Sequence, residues 1–209
     1  MVETTRGRRI RGLDAEQRRA QRRDDLLAAA LDLFATTGYP NTSIEQICQA
    51  AYVGTKGFYE IFDSKEACYV ALLRQVSATI EARMDAALEH APADEAEAAS
   101  LLLIAFAHAL VDDPRFAMVT FGQAGGISAA VERQRRENRR WAAGFLTSVW
   151  SRYRGATDPK LYRVAIGVIG GLFDLVADWM LDADPADPAS RDDLIADLTA
   201  FYQAVRAGL

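Results

Sequence analysis

The chain is poor in the residues that build cross-links and metal centres. Its 209 residues include two cysteines, Cys48 and Cys68, and two histidines, His90 and His108. Two thiols exclude a disulfide scaffold and a four-cysteine zinc site, and a reducing, cytoplasmic compartment is expected. Two imidazoles leave little for a histidine-rich centre, so no metal is expected. Six prolines and 14 glycines exclude collagen-like and linker-dominated chains. No run of 18 uninterrupted apolar residues occurs, so neither a membrane-spanning helix nor a membrane partner is expected. The charged stretch 1–23 lacks an apolar segment and does not read as a secretory signal. Alternating apolar–polar runs are missing, as are Asn-Gly and Asp-Gly turns, which argues against strands and hairpins. There is no glycine-rich phosphate loop, nucleophile elbow, Cys-x-x-Cys or His-Glu-x-x-His, so no cofactor and no catalysis are expected.

What is present is globular: 50% of residues are apolar and 25% charged, enough for one ordinary domain or two small ones. The net charge of −5 is unevenly spread. Residues 1–65 hold 10 Lys and Arg against 9 Asp and Glu, net +1, and residues 66–209 hold 14 against 20, net −6. Within 1–23 stand Arg6, Arg8, Arg9, Arg11, Arg18, Arg19, Arg22 and Arg23, against Glu3, Asp14 and Glu16. A basic arm on an acidic body points to a polyanion touched by one end. A solvated tail gives the same composition.

The periodicity is helical almost throughout and predicts an all-α fold of about nine helices. The first is predicted over about Ala15 to Thr37, stopped by Gly38. A short second helix opens on Ser43-Ile44-Glu45-Gln46, which reads as a capping box. After the turn Tyr52-Val53-Gly54 comes a third helix, Thr55 to about Phe62, followed by a cap from Asp63 or Ser64. The fourth runs from about Lys65 to Glu89 and ends before Pro92; the fifth spans about Asp94 to Val111. Asp113-Pro114 opens a short sixth through Phe121, and Gly125-Gly126 breaks the chain. The seventh is predicted over Ser128 to Tyr153, and the eighth from Asp158-Pro159 to about Leu181. Asp182 to Pro188 reads as a loop, and the ninth helix runs from about Ser190 to Ala207.

Two short helices joined by a four-residue turn, after a longer helix, make a helix-turn-helix. Such a unit rests its first short helix on the phosphate backbone and offers the second to the major groove. In the second, Phe58, Ile61 and Phe62 are spaced to anchor one face. Thr55, Lys56, Gly57 and Tyr59 occupy the exposed first turn. Gly57 costs the helix about 1 kcal/mol against Ala, which close backbone approach to DNA would justify.

The stretch LLAAALDLFATTGYPNTSIEQICQAAYVGTKGFYEIFDSKEACYVALL, residues 26–73, resembles the TetR family of bacterial transcription regulators. The match rests on Phe34, Gly38 and Tyr39, on Thr42 and Ser43, and on Tyr59-Glu60-Ile61-Phe62 followed by Lys65-Glu66. Departures are Ile61 at a position usually held by histidine, Gly57 at a usually polar position, and Tyr52 in place of the turn glycine. A non-glycine residue in left-handed conformation there costs about 1 kcal/mol. The resemblance implies a helix-turn-helix domain over 15–65, preceded by the arm 1–23, and a ligand-binding and dimerisation domain over 66–209. It implies phosphate contacts from Thr42, Ser43 and Lys65, a backbone contact from the Tyr59 hydroxyl, and base-edge or phosphate contacts from Thr55, Lys56 and Gly57. Beside such a domain the arginine arm would lie along phosphates or enter a minor groove.

For the body, helices eight and nine read as an association surface. Gly167, Gly170 and Gly171 would allow close helix approach, and Leu194, Leu198 and Phe201 form the stripe of the ninth. By the resemblance, two such helices per subunit make a four-helix bundle, whose twofold symmetry matches a palindromic operator. By the same resemblance, helices four to eight enclose a ligand cavity, with Phe106, Phe121, Trp141, Phe145, Trp150 and Trp179 as lining candidates. His108 is a further candidate, or a satisfied core histidine. Asp174 and Asp178, four apart on the eighth helix, could meet a cationic ligand, pair across a dimer, or stand in solvent. The functional expectation is a homodimeric DNA-binding regulator, a repressor released from double-stranded operator DNA by a small-molecule effector. The alternatives are an adaptor that works through a protein partner, and an enzyme using the helical cavity.

Overall fold

The structure, a computed structural model, describes residues 14–122, 127–155, 160–184 and 187–208. Arg6, Arg8, Arg9 and Arg11 of the basic arm, the Gly125-Gly126 break and the Asp158-Pro159 start lie outside the described residues. Among the described residues there are nine helices and no strand. They are α1 (Ala15–Thr36), α2 (Ile44–Ala50), α3 (Thr55–Tyr59), α4 (Lys65–Glu89), α5 (Glu95–Val111), α6 (Pro114–Thr120), α7 (Ala129–Arg154), α8 (Leu161–Asp182) and α9 (Pro188–Arg206). The fold is all-α, and it divides into two compact units, Met1–Leu72 and Leu73–Leu209.

In the first unit the helix starts are set by side-chain caps. Asp14 accepts from the Gln17 amide at 2.8 Å while Gln17 Oε1 accepts from the Asp14 amide at 3.0 Å, a reciprocal cap that opens α1. Ser43 and Gln46 form the same box at α2, with distances of 3.2 and 2.7 Å. Ser64 rather than Asp63 caps α4, its Oγ accepting from the Ala67 amide at 3.0 Å. α1 ends at Gly38, whose φ of 83° is open to glycine without steric cost.

α2 ends in a Schellman turn. The Val53 amide donates to the Cys48 carbonyl at 2.9 Å and the Tyr52 amide to the Gln49 carbonyl at 3.2 Å. That geometry requires a left-handed residue between them, and Tyr52 holds it at φ 54°. The predicted third helix is shorter than expected. Its helical run stops at Tyr59, and Glu60 to Phe62 continue as a turn bonded to the Lys56 and Phe58 carbonyls. The first unit reaches past residue 65 to Leu72. The first turns of α4 carry the buried Cys68, Tyr69 and Leu72, and the Tyr69 ring meets Phe34 edge-on at 5.1 Å.

In the second unit α7 packs on α8, α8 on α9, and α5 on α9. The core holds Trp150, whose Nε1 donates to Tyr202 Oη at 2.9 Å, a partner that a buried indole requires. α9 starts at Pro188 rather than Ser190. Asp187 accepts from the Ala189 amide at 3.0 Å, and a proline in the first helical turn has no amide to lose. α8 is long and apolar enough to cross a membrane by length and composition. Its Ala165, Val168, Leu172 and Val176 are buried in the core of this unit, and Asp174 and Asp178 stand on its outer face.

Because Tyr52 is 99% exposed, its ring contributes no packing that offsets the left-handed backbone. Tyr52→Gly is therefore expected to stabilise the protein by about 1 kcal/mol. Chemical denaturation checks this, and an unchanged or lowered midpoint would contradict it.

Candidate nucleic-acid interface and cavity

α3 has five residues, and its two sides differ sharply. Phe58 is fully buried, and its ring meets that of the buried Phe62 at 5.6 Å, tilted by 56°. Thr55, Lys56 and Tyr59 are exposed. The C-terminal end of α3 is tied to α1: Arg22 Nη1 lies 3.0 Å from Glu60 Oε2, and Arg19 Nη2 donates to the Glu60 carbonyl at 3.3 Å. A cation at a helix C-terminus also meets the negative end of the helix dipole. Arg19 and Arg22 thus serve the unit internally, a role the charge pattern of the arm did not reveal.

Two expected DNA contacts are placed differently. Thr42 is 2% exposed, and its hydroxyl donates to the Gly38 carbonyl at 2.8 Å and the Leu33 carbonyl at 3.4 Å. It bonds carbonyls at and just beyond the end of α1, and its side chain does not face solvent. Lys65 Nζ donates to the Tyr39 carbonyl at 2.8 Å and the Thr42 carbonyl at 2.7 Å, and stands 4.3 Å from the centre of the Tyr39 ring. Desolvation holds its ammonium below the usual lysine range. The expected phosphate ligand is a clasp between the α1–α2 turn and α4. At Gly57, a Cβ would come 2.9 Å from Val53 Cγ1 and 3.6 Å from Arg22 Nη1. Packing against Val53 is by itself a reason for glycine at this position. Ser43 is half-buried at the start of α2, with its Oγ engaged in the cap.

The second unit contains a cavity of about 110 Å³. α4 to α8 contribute to it, with Tyr202 from α9. Phe106, Phe121, Trp141 and Phe145 line it. Trp141 and Phe145 stack with centroids 5.4 Å apart, and Phe121 meets Phe173 at 5.1 Å. Trp150 and Trp179 do not line it; the Trp179 Nε1 donates to the Ser190 carbonyl at 2.9 Å. His108 also lies off the cavity, on an exposed face where Nδ1 is 2.9 Å from Asp112 Oδ1. Asp174 and Asp178 are exposed and outside it. These placements correct the expectation for all three polar residues, which sit on the outer faces of α5 and α8.

The polar groups that do line the cavity are Ser77, Glu81, Thr120, Asn138 and Tyr202. Thr120 Oγ1 is buried without a hydrogen-bond partner. Asn138 Oδ1 accepts from Gln134 Nε2 at 2.8 Å, and Gln134 Oε1 accepts from Arg74 Nε at 2.6 Å. Burial and the neighbouring Asp85 carboxylate push the Glu81 carboxyl above its ordinary range. The sequence carried a signal for two of these groups: Ser77 and Glu81 are four apart and flank Ile80 and Met84 of the apolar stripe.

The expected association surface is partly consumed within the chain. Leu194 and Leu198 are buried in the chain's own core, and a Cβ at Gly171 would overlap the Phe201 ring. Those four residues build the α8–α9 contact of one subunit. Gly167 and Gly170 have open space where a Cβ would stand.

A five-residue helix with a buried aromatic anchor and a polar outer turn, set after α2 and followed by an all-helical body, defines a helix-turn-helix protein. Residues 26–72 match the family described as "Bacterial regulatory proteins, tetR family". The chain is similar to the HTH-type transcriptional regulator RutR of Escherichia coli K12, with 40% identity over 75 residues, 36% of this chain and 32% of that protein. It is also similar to the HTH-type transcriptional regulator TcmR of Streptomyces glaucescens, with 42% identity over 85 residues, 40% of this chain and 36% of that protein. The matched stretch thus spans about a third of the length of those relatives. The fold matches the transcriptional regulator FadR from Bacillus subtilis, solved in complex with stearoyl-CoA, at a TM-score of 0.66 and 20% identity over 85% of this chain and 98% of that one.

If Lys65 is a clasp, Lys65→Met leaves two carbonyls without a charged donor and is expected to cost about 2 kcal/mol of stability. Urea denaturation reads the loss directly. Stability equal to the parent would contradict the clasp.

Proposed function

We propose that this chain is a DNA-binding transcriptional regulator, a homodimeric repressor released from a palindromic operator when a small molecule occupies the cavity of the second unit. The observation that carries the reading is the division of α3, with Phe58 buried and Thr55, Lys56 and Tyr59 exposed on the first turns. In this reading Lys56 and Tyr59 reach phosphate or base edges, and Thr55 meets the groove. Ser43 contributes at the start of α2, where helix amides favour phosphate. Thr42, Lys65 and Gly57 support the unit that presents these groups.

Dimerisation through α8 and α9 is supported by the shallow outer face at Gly167 and Gly170 and by the exposed Ala196, Ala200 and Leu181. A twofold dimer would present two copies of α3 to two half-sites. Effector release follows if the small molecule favours a conformation with weaker DNA affinity. The apolar cavity with a few polar groups supports a small-molecule site. Stearoyl-CoA in the FadR structure is a ligand of that protein.

Fluorescence anisotropy with duplex from upstream of the gene tests the reading. The parent protein is expected to bind with steep salt dependence. Lys56→Ala should lower the slope of log affinity against log salt by about 1, and Tyr59→Phe should weaken binding by roughly fivefold. Unchanged affinity in both variants would remove these contacts, and failure to bind any duplex from the locus at low ionic strength would remove the regulator. Sedimentation at micromolar concentration is expected to show a dimer; a monomer would reject the symmetric reading.

A further inference from the structure

The lining of the cavity is asymmetric in charge. Among its described residues Glu81 carries the only charge, and no arginine, lysine or histidine is present. Glu81 has no ion-pair or hydrogen-bond partner among the described side chains, although most other acidic groups of this unit that are half-buried do. Asp113 is paired with Arg115 at 2.6 Å, and Glu95 with Arg154 at 3.3 Å. Burial, and after it the charge of another carboxylate, Asp85, push the Glu81 carboxyl above its ordinary range. A carboxylate that is partly withdrawn from water and stands beside a like charge would gain from a cation placed against it.

The rest of the wall suits the same kind of guest. Trp141 and Phe145 present stacked aromatic faces, and Phe106, Phe121 and Phe173 add three more rings. Aromatic faces attract a cation through the ring quadrupole, most strongly for indole. A buried polar atom of the lining without a partner, Thr120 Oγ1, can accept a hydrogen bond from an N–H. An anionic guest would find no positive partner and would face Glu81 directly. A fully neutral guest would cover Glu81 and leave it unpaired.

We propose that the effector is a hydrophobic amine, a compact cation whose apolar or aromatic body fills the cavity and whose ammonium pairs with Glu81. This inference rests on the cavity being the effector site. The carboxylate that recognises the cation is on α4, not the exposed Asp174 and Asp178 of α8. A cavity of about 110 Å³ suits a body of one ring and a short chain.

Three probes of matched shape separate the possibilities by titration calorimetry with the full chain: 2-phenylethylamine, 2-phenylethanol and 3-phenylpropanoate. The amine is expected to bind roughly tenfold more tightly than the alcohol, and the carboxylate most weakly. Glu81→Gln should remove the advantage of the amine while leaving the alcohol within about twofold of its parent affinity. Trp141→Leu, with Glu81 intact, should reduce the preference for the amine as a second check. Equal binding of amine and alcohol, tighter binding of the carboxylate, or an amine preference that survives Glu81→Gln would overturn the charge assignment and leave the cavity as an effector site. Failure of all three probes to bind up to their solubility limits would overturn both this inference and the effector half of the proposed function. The DNA-binding half is tested separately by anisotropy.

Discussion

A helix of five residues cannot hold itself together, because the cost of nucleating a turn exceeds what so few hydrogen bonds return. Whatever α3 does, it does because the rest of the first unit holds it in shape. The main restraint is the burial of Phe58 and Phe62, each worth about 2 kcal/mol in apolar transfer. Polar restraints then fix its direction. The Schellman turn at Tyr52 sets the angle from α2, and the contacts of Arg19 and Arg22 with Glu60 fix its far end. Thr42 and Lys65 close the turn between α1 and α2 with hydrogen bonds to four backbone carbonyls. Four residues that read from sequence as candidates for touching a polyanion are therefore used to hold α3 and the turn before α2 in place.

That substitution explains where the sequence was legible and where it was not. Helix starts were readable because capping chemistry is local: Ser43 with Gln46 and Asp113 with Pro114 carry their signal within four residues. The burial of Phe58 and Phe62 was readable from spacing, as was the exposure of Thr55 and Lys56. The roles of Thr42, Lys65 and Arg22 were not, because their partners lie between 4 and 38 positions away and appear only when the chain folds. A basic side chain at a helix start looks the same in sequence whether it faces phosphate or a carbonyl. In the second unit the aromatic lining was partly readable, since Phe106, Phe121, Trp141 and Phe145 fall on apolar stripes. The polar lining was misplaced. His108, Asp174 and Asp178 drew notice as polar residues on apolar helices, yet helix phase turns all three outward, and it turns Glu81 inward.

The two units use polarity in opposite ways. In the first, the buried Thr42 hydroxyl and the Lys65 ammonium are both satisfied by backbone carbonyls. In the second, an unpaired carboxylate and an orphan hydroxyl remain at an apolar cavity. A buried hydroxyl without a partner lowers stability, and a guest that pairs with it recovers part of that loss by mass action. Such a body is more responsive to a ligand than a fully satisfied core would be. Within this unit, a hydrogen-bond chain from Asn138 through Gln134 to Arg74 ties α7 to α4 beside the cavity.

The central claim is that the exposed side of α3 is the surface that meets duplex DNA. Hydrogen–deuterium exchange of the full chain, with and without duplex from upstream of its gene, tests it at residue level. Slower exchange confined to the amides of Thr55 to Tyr59 and the first turn of α2 is the predicted result. Protection that leaves those amides unchanged while the duplex is bound elsewhere would contradict it.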